Sequence, residues 1–211
     1  MKQLSYPVHL NLAGRPVLVA GAGRVATRKI ERLVEARAAL TVVSLDASSI
    51  VRKLADEHKL TLQLRAAAEA DTRGMLLVVC ATDDGPLNAR LAAAARTHGA
   101  LVSRVDAPED SDFTVPAVAR GESVEATVST GGAAPSASRR LARELRAWVS
   151  RGPDRFAHEI ARARVALRGH PEATERLRKL SGGPLFEACA ADDERQIRSL
   201  MDAVIPAEAS S

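Results

Sequence analysis

Aromatic side chains are scarce in this 211-residue chain: one Trp, one Tyr and three Phe make up 2% of it. Proteins that grip single-stranded nucleic acid interleave aromatics with basic residues so that bases can stack. Neither that interleaving nor a recognisable nucleic-acid module is present, so no nucleic-acid partner is expected. Cysteine is equally sparse. Cys80 and Cys189 stand too far apart in sequence for a CxxC redox pair or a thiolate zinc site, and they read as buried or inert thiols. The five His are scattered without ligand pairs at helical spacing, so no resident metal is expected. No apolar run approaches the roughly 20 residues that span a bilayer, and the N-terminus lacks a signal-peptide core. A cytoplasmic protein without a membrane partner is the expectation.

What is present suits a folded protein with one larger and one smaller domain: 46% apolar and 27% charged residues at a net charge of +4. The positive charge is unevenly placed. Between Arg139 and Lys179 there are twelve Arg and Lys against five Asp and Glu. A small polycarboxylate suits such a segment; a solvated basic helix face is the plainer alternative.

The most informative stretch is Val17-Leu18-Val19-Ala20-Gly21-Ala22-Gly23-Arg24-Val25-Ala26, an apolar strand leading into Gly-x-Gly-x-x-Ala and a helix. In such a turn Gly21 permits the tight bend, Gly23 lets backbone approach a pyrophosphate, and Ala26 lets helix and sheet pack closely. The helix N-terminus then offers free N–H groups and a partial positive charge to the anion. Ala26, Ile30, Leu33 and Val34 share one helical face, while Arg28, Lys29, Glu31, Arg32 and Glu35 point away. A second strand, Leu40 to Ser44, ends near Leu45 and Asp46. A carboxylate at that distance from the glycines accepts hydrogen bonds from the adenosine ribose and repels a 2′-phosphate, which favours NAD over NADP.

Strand and helix then alternate: helix Ser48 to His58, strand Leu60 to Leu64, strand Met75 to Cys80, helix Pro86 to His98, strand Leu101 to Val105. The pattern predicts an α/β, doubly wound parallel sheet with its ligand at the carboxyl ends of the strands. Thr82, Asp83 and Asp84, and Asp106-Ala107-Pro108, would stand at that edge. After Phe113 the character changes. Ser123 to Ser129 alternates like a strand with one wet face. A helix from Pro135 carries a packing stripe of Leu141, Leu145 and Trp148 opposite Arg139, Arg143 and Arg146. Further helices are expected over Asp154 to Leu167, Pro171 to Leu180 and Asp192 to Val204, then a frayed tail, Ala207 to Ser211.

Several motifs together resemble the precorrin-2 dehydrogenases and sirohydrochlorin ferrochelatases of sirohaem synthesis, including the N-terminal half of the fused sirohaem synthases. They are Pro7-Val8-His9-Leu10, Gly21 to Lys29, Ala81-Thr82-Asp83-Asp84 with Asn88, Val105-Asp106-Ala107-Pro108, Phe113 to Ala117, Ser129-Thr130-Gly131-Gly132 with Pro135, and Gly183-Pro184-Leu185. A generic dinucleotide-binding protein has no reason to carry the segments after Asp106. The resemblance implies a Rossmann-type NAD-binding domain over 1–112, a dimerisation segment with a substrate loop over 113–150, and a small helical domain over 151–211, with the active site between them and the protein a homodimer. It stops short of the methyltransferase domain of the fused enzymes.

The activity implied is oxidation of the tetrapyrrole precorrin-2 to sirohydrochlorin with hydride passing to NAD⁺. In some members Fe²⁺ is then inserted as a substrate through transient contacts. Asp106 matches the family's essential aspartate and is the catalytic candidate. Gly21, Gly23, Arg24, Val25, Leu45, Asp46, Thr82 and Asp83 fall toward the cofactor. Ser129, Thr130, Gly131, Gly132 and Phe113 fall toward the substrate, whose carboxylates would also account for the arginine-rich half.

Three positions depart from the family. Arg37 replaces the usual Gly after the first helix, at roughly 1 kcal/mol or more if the residue is left-handed. Ala134 replaces a Ser before Pro135, losing an N-cap hydroxyl worth roughly 1 kcal/mol unless Ser136 replaces it. Ser103-Arg104 replaces Asn and an apolar residue, bringing a guanidinium near Asp106 that would lower its pKa and weaken it as a base. Two readings of another class remain open at this point: an NAD-responsive module, and a tetrapyrrole carrier without catalysis.

Overall fold

The computed structural model describes residues 6–205, so the tail Ala207 to Ser211 lies outside the described residues. The chain divides into two compact units, one running to Val115 and the other starting at Pro116.

The first unit is built on a parallel sheet. Its strands are β1 (Pro16–Ala20), β2 (Ala39–Ser44), β3 (Thr61–Leu64), β4 (Leu77–Cys80) and β5 (Leu101–Arg104), in the order β3-β2-β1-β4-β5. Register is direct, with Val19 opposite Val42 and Val79. Because side chains alternate along a strand, Val17 and Val19 enter one core with Ile30, Val42 and Val51. Leu18 and Ala20 enter a second core with Val78, Leu91 and Val102. The helices α1 (Arg24–Glu35), α2 (Ser49–Asp56) and α3 (Gly85–Thr97) supply the facing residues. Both faces of β1 and β4 are therefore covered, which explains their unbroken apolar runs. The strand order reverses between β1 and β4, the switch point at which open α/β sheets bind ligands.

The first helix ends on backbone hydrogen bonds alone. The Ala38 N–H donates to the Leu33 carbonyl at 3.1 Å and the Arg37 N–H to the Val34 carbonyl at 2.9 Å. This closes α1 in a Schellman motif, with Arg37 left-handed at φ 56°. The strain expected at Arg37 is thus present.

The second unit pairs β6 (Ala117–Arg120) with β7 (Glu125–Val128) in an antiparallel hairpin, followed by α4 (Pro135–Val149) packed against both strands. The sequence pattern suggested one strand from Ser123. Instead the chain turns over 121–124, and the strand begins at Glu125. Four helices complete the unit: α5 (Pro153–Ala166), α6 (Ala173–Ser181), α7 (Leu185–Ala190) and α8 (Glu194–Asp202). Ala163, Leu180, Leu185, Ile197 and Met201 form their core, beside an edge-to-face Phe156–Phe186 pair at 5.5 Å. β6 and α7 were not anticipated, being too short to show a period.

One sequence expectation is corrected. The α4 stripe expected to pack is not the buried one: Ser138, Ala142 and Val149 face inward, while Leu141 and Trp148 stay about half exposed, at 49% and 52%. Two short strands cover only a narrow band of the helix.

Candidate dinucleotide site and the carboxylate at its edge

The turn between β1 and α1 is shaped by glycine. Gly21 has φ 103°, and its N–H donates to the Val43 carbonyl at 2.8 Å. A Cβ built on it would lie 2.4 Å from the Ala81 carbonyl oxygen, so no other residue fits between β1 and β4. A Cβ on Gly23, the N-cap of α1, would meet nothing within 4 Å. No side chain caps this helix, and its first turn holds no acid. The cradle thus offers unpaired N–H groups to open space, which fits a dinucleotide pyrophosphate. Its floor is rigid. The Thr27 hydroxyl bonds the Gly23 carbonyl at 3.0 Å and lies 2.9 Å from the Ser48 hydroxyl, tying α1 to the cap of α2.

Around this turn the expected cofactor residues come together on one sheet edge. Arg24 and Val25 open α1; Leu45 and Asp46 follow β2. Val25 and Leu45 are exposed apolar side chains, at 51% and 79%, suited to an adenine face. Asp46 is 87% exposed. It accepts the Ala47 N–H at 2.7 Å and Arg52 at 2.5 Å, both on Oδ1, and these hold its carboxyl below the usual range.

The β4–α3 turn is organised by Asn88, which is fully buried. Its Oδ1 accepts the Thr82 hydroxyl at 2.7 Å and its Nδ2 donates to the Thr82 carbonyl at 3.0 Å. Asp84 caps α3 by accepting the Leu87 N–H at 2.8 Å, while Asp83 is exposed. Asp106 lies just past β5, its carboxylate close against Gly85. Arg104 Nη2 stands 2.6 Å from Asp106 Oδ2, and Arg104 Nη1 2.9 Å from Asp110 Oδ2. The guanidinium holds the Asp106 carboxyl below the ordinary carboxylate range, with Asn88 adding a smaller hydrogen-bonding contribution. Burial pushes the neighbouring Cys80 thiol up to about 11, so it is no nucleophile at neutral pH.

The segment expected to meet substrate is divided. Phe113 packs half-buried against the first core of the sheet. Ser129, Thr130, Gly131 and Gly132 join β7 to α4, with φ 61° and 82° at the glycines. The Ser129 hydroxyl accepts the Gly131 N–H at 3.1 Å, and the Thr130 hydroxyl accepts the Ala134 N–H at 3.0 Å and lies 3.1 Å from the Ser138 hydroxyl. Ala134 starts α4 without a side-chain cap. Thr130 and Ser138 brace the turn; Ser136 does not replace the cap. Asp110 and Ser138 escaped the sequence reading, since only folding brings them to the groups they touch.

Residues 8–117 match the profile of the NAD(P)-binding family NAD_binding_7. The chain belongs to this family. As an NAD(P)-binding protein it is also similar to longer curated relatives. The siroheme synthase of Methylococcus capsulatus is 38% identical over 162 residues, 77% of this chain and 33% of the relative. That of Nitrosococcus oceani is 30% identical over 203 residues, 94% of this chain and 43% of the relative. The chain therefore spans less than half the length of either. The solved structure of SirC, precorrin-2 dehydrogenase, superposes with a TM-score of 0.80 at 23% identity, covering 95% of this chain and 98% of that one. That last likeness is one of fold.

Proposed function

We propose that this NAD(P)-binding protein is a precorrin-2 dehydrogenase, converting precorrin-2 to sirohydrochlorin with NAD⁺ as the acceptor. The observation that carries the reading is Asp106: a carboxylate at the carboxyl end of β5, on the same sheet edge as the Gly21–Gly23 cradle. The names borne by the relatives supply the substrate. The reaction removes two hydrogens from the macrocycle, one as hydride and one as a proton, giving sirohydrochlorin, NADH and H⁺.

Gly21 and Gly23 would admit the pyrophosphate, Val25 and Leu45 would border the adenine, and Asp46 would take the ribose hydroxyls and disfavour a 2′-phosphate. Thr82 and Asp83 line the same edge. NAD⁺ held there would supply the hydride acceptor. Asp106 would offer a negative charge held by Arg104 at this edge, and is the candidate to assist departure of the proton. Ser129 to Gly132, with Phe113 and the arginines of α4, would meet the acetate and propionate groups. The exposed Leu141 and Trp148 are the apolar surface a second copy would cover in a homodimer. We divide the chain into a cofactor domain over 1–112, a segment over 113–150 that carries this surface and the loop, and a helical domain over 151–211. We place the protein in the cytoplasm. Insertion of Fe²⁺ into the product, releasing two pyrrole protons, is the second activity the same carboxylate could serve.

The test is anaerobic incubation with precorrin-2 and NAD⁺, following NADH and sirohydrochlorin absorbance beside Asp106→Asn. Equimolar products, greatly slowed in the variant, are expected. No turnover despite NAD binding would overturn the reading in favour of a sensor or carrier; adding Fe²⁺ afterwards tests metal insertion.

A further inference from the structure

The last strand of the sheet ends on a charged side chain, Arg104, turned toward the candidate carboxylate. Arg104 continues β5 beyond the buried Val102 and Ser103, yet its side chain is only 13% exposed. Its main chain is pinned: the Arg104 N–H donates to the Ser111 hydroxyl at 2.9 Å, which returns a bond to the Arg104 carbonyl at 3.3 Å. The guanidinium then reaches both oxygens of Asp106, Nη2 to Oδ2 at 2.6 Å and Nε to Oδ1 at 3.4 Å, with Nη1 on Asp110.

Asp110 is held in turn by Arg96, at 3.0 Å from Nη1, and Arg96 also bonds Asp112 at 3.2 Å. Asp112 Oδ2 accepts the backbone N–H of Val102 at 2.9 Å, which returns the string to β5. Charges of alternating sign thus run Asp106, Arg104, Asp110, Arg96, Asp112, closed on the strand that carries Arg104. A planar guanidinium in such a string has one geometry available, and it sets the plane of the carboxylate it grips.

We propose that Arg104 is a positioning residue for the reaction assigned above, fixing the plane of the Asp106 carboxylate and keeping it anionic. The proposal rests on that assignment for its functional consequence, while the clamp itself is a property of the first unit alone. The other groups facing Asp106 do not offset the clamp. Asp110 is neutralised by Arg96, the Cys80 thiol on β4 stays protonated, Asn88 is uncharged, and Asp84 is engaged with the Leu87 N–H. Without the guanidinium the carboxylate would lose the group that fixes its plane and would bind a proton more readily.

The direct test is titration of the full chain labelled with carboxyl-¹³C aspartate, assigning the Asp106 resonance by its loss in Asp106→Asn. In Arg104→Met the Asp106 midpoint should rise by about one unit or more. The acid limb of kcat/KM for precorrin-2 should rise with it, while the dissociation constant for NAD⁺, read by fluorescence, stays unchanged. Arg104→Lys should restore the midpoint in part without restoring the full kcat, because a point charge cannot set the carboxylate plane.

An unmoved midpoint in folded Arg104→Met, or a moved midpoint with an unmoved acid limb, would overturn the proposal while the dehydrogenase reading stands. If Arg104→Met does not fold, Asp110→Asn decides: Arg104 then serves Asp106 alone, and a rise of the midpoint would overturn the clamp. A wild-type protein inactive on precorrin-2 at every pH would instead overturn the functional reading and the positioning role with it, leaving the titration to report on the clamp.

Discussion

Asp154, in the first turn of α5, accepts the backbone N–H groups of Glu122, at 2.9 Å, Ser123 and Val124, 32 to 30 residues earlier in the chain. One carboxylate therefore organises the turn of the β6–β7 hairpin. Gly121 leaves room for it, since a Cβ there would stand 2.5 Å from Asp154 Oδ1 and push the carboxylate from its place.

Removing that carboxylate leaves three donors to water alone. Asp154→Ala should lower unfolding stability by about 2 kcal/mol, the scale of losing hydrogen bonds to a charged acceptor. A shift of the urea midpoint without a change of slope would show it.

The same group makes stability depend on pH. The Glu122, Ser123 and Val124 N–H groups hold the Asp154 carboxyl below its ordinary value. Its contribution is thus complete above the unfolded-state value, about 4, and is lost as pH falls through the lower folded value. Asp154→Asn should flatten the loss of stability below about pH 4 in a series of thermal melts; an equally steep loss would assign it to other carboxylates.

At the end of α1, Arg37→Gly relieves a left-handed residue without touching its hydrogen bonds, which come from the backbone. Stability should increase by about 1 kcal/mol, read as a higher urea midpoint with unchanged NAD⁺ affinity.

Gly21→Ala should do the reverse to the site. The added Cβ forces β1 and β4 apart at the Ala81 carbonyl, and NAD⁺ binding should weaken about tenfold or more, ~1.4 kcal/mol or more. Titration of the bound nucleotide by fluorescence measures it, with circular dichroism to confirm the fold.

Asp46→Asn removes the charge opposed to a 2′-phosphate while leaving Arg52 beside it. The ratio of NADP⁺ to NAD⁺ affinity should increase by about tenfold in the same titration.

Much of the first unit was legible because its rules are local. Val17 to Ala20 are apolar without a break, the spacing of Gly21 and Gly23 has a steric cause, and Asp84 followed by Gly85-Pro86 carries the chemistry of a helix start. The second unit was less legible. Four-residue strands such as Ala117–Arg120 have no measurable period, and the apolar stripe of α4 is as regular on its exposed side as on its buried one. Sequence periodicity finds the apolar face of a helix but not which neighbour covers it.

The sequence by itself determined the doubly wound sheet, the glycine turn between β1 and α1 and the presence of Asp106 near its edge, because strand alternation, glycine sterics and helix termini act over a few residues. Only the tertiary structure decided that Arg104 grips Asp106 with both oxygens engaged, that Arg96 and Asp112 close that string of charges, and that Asp154 holds a hairpin formed 30 residues earlier. These are contacts between groups whose separation is set by the packing of whole elements, and a hydrogen-bonded ion pair forms only where that packing brings donor and acceptor within about 3 Å.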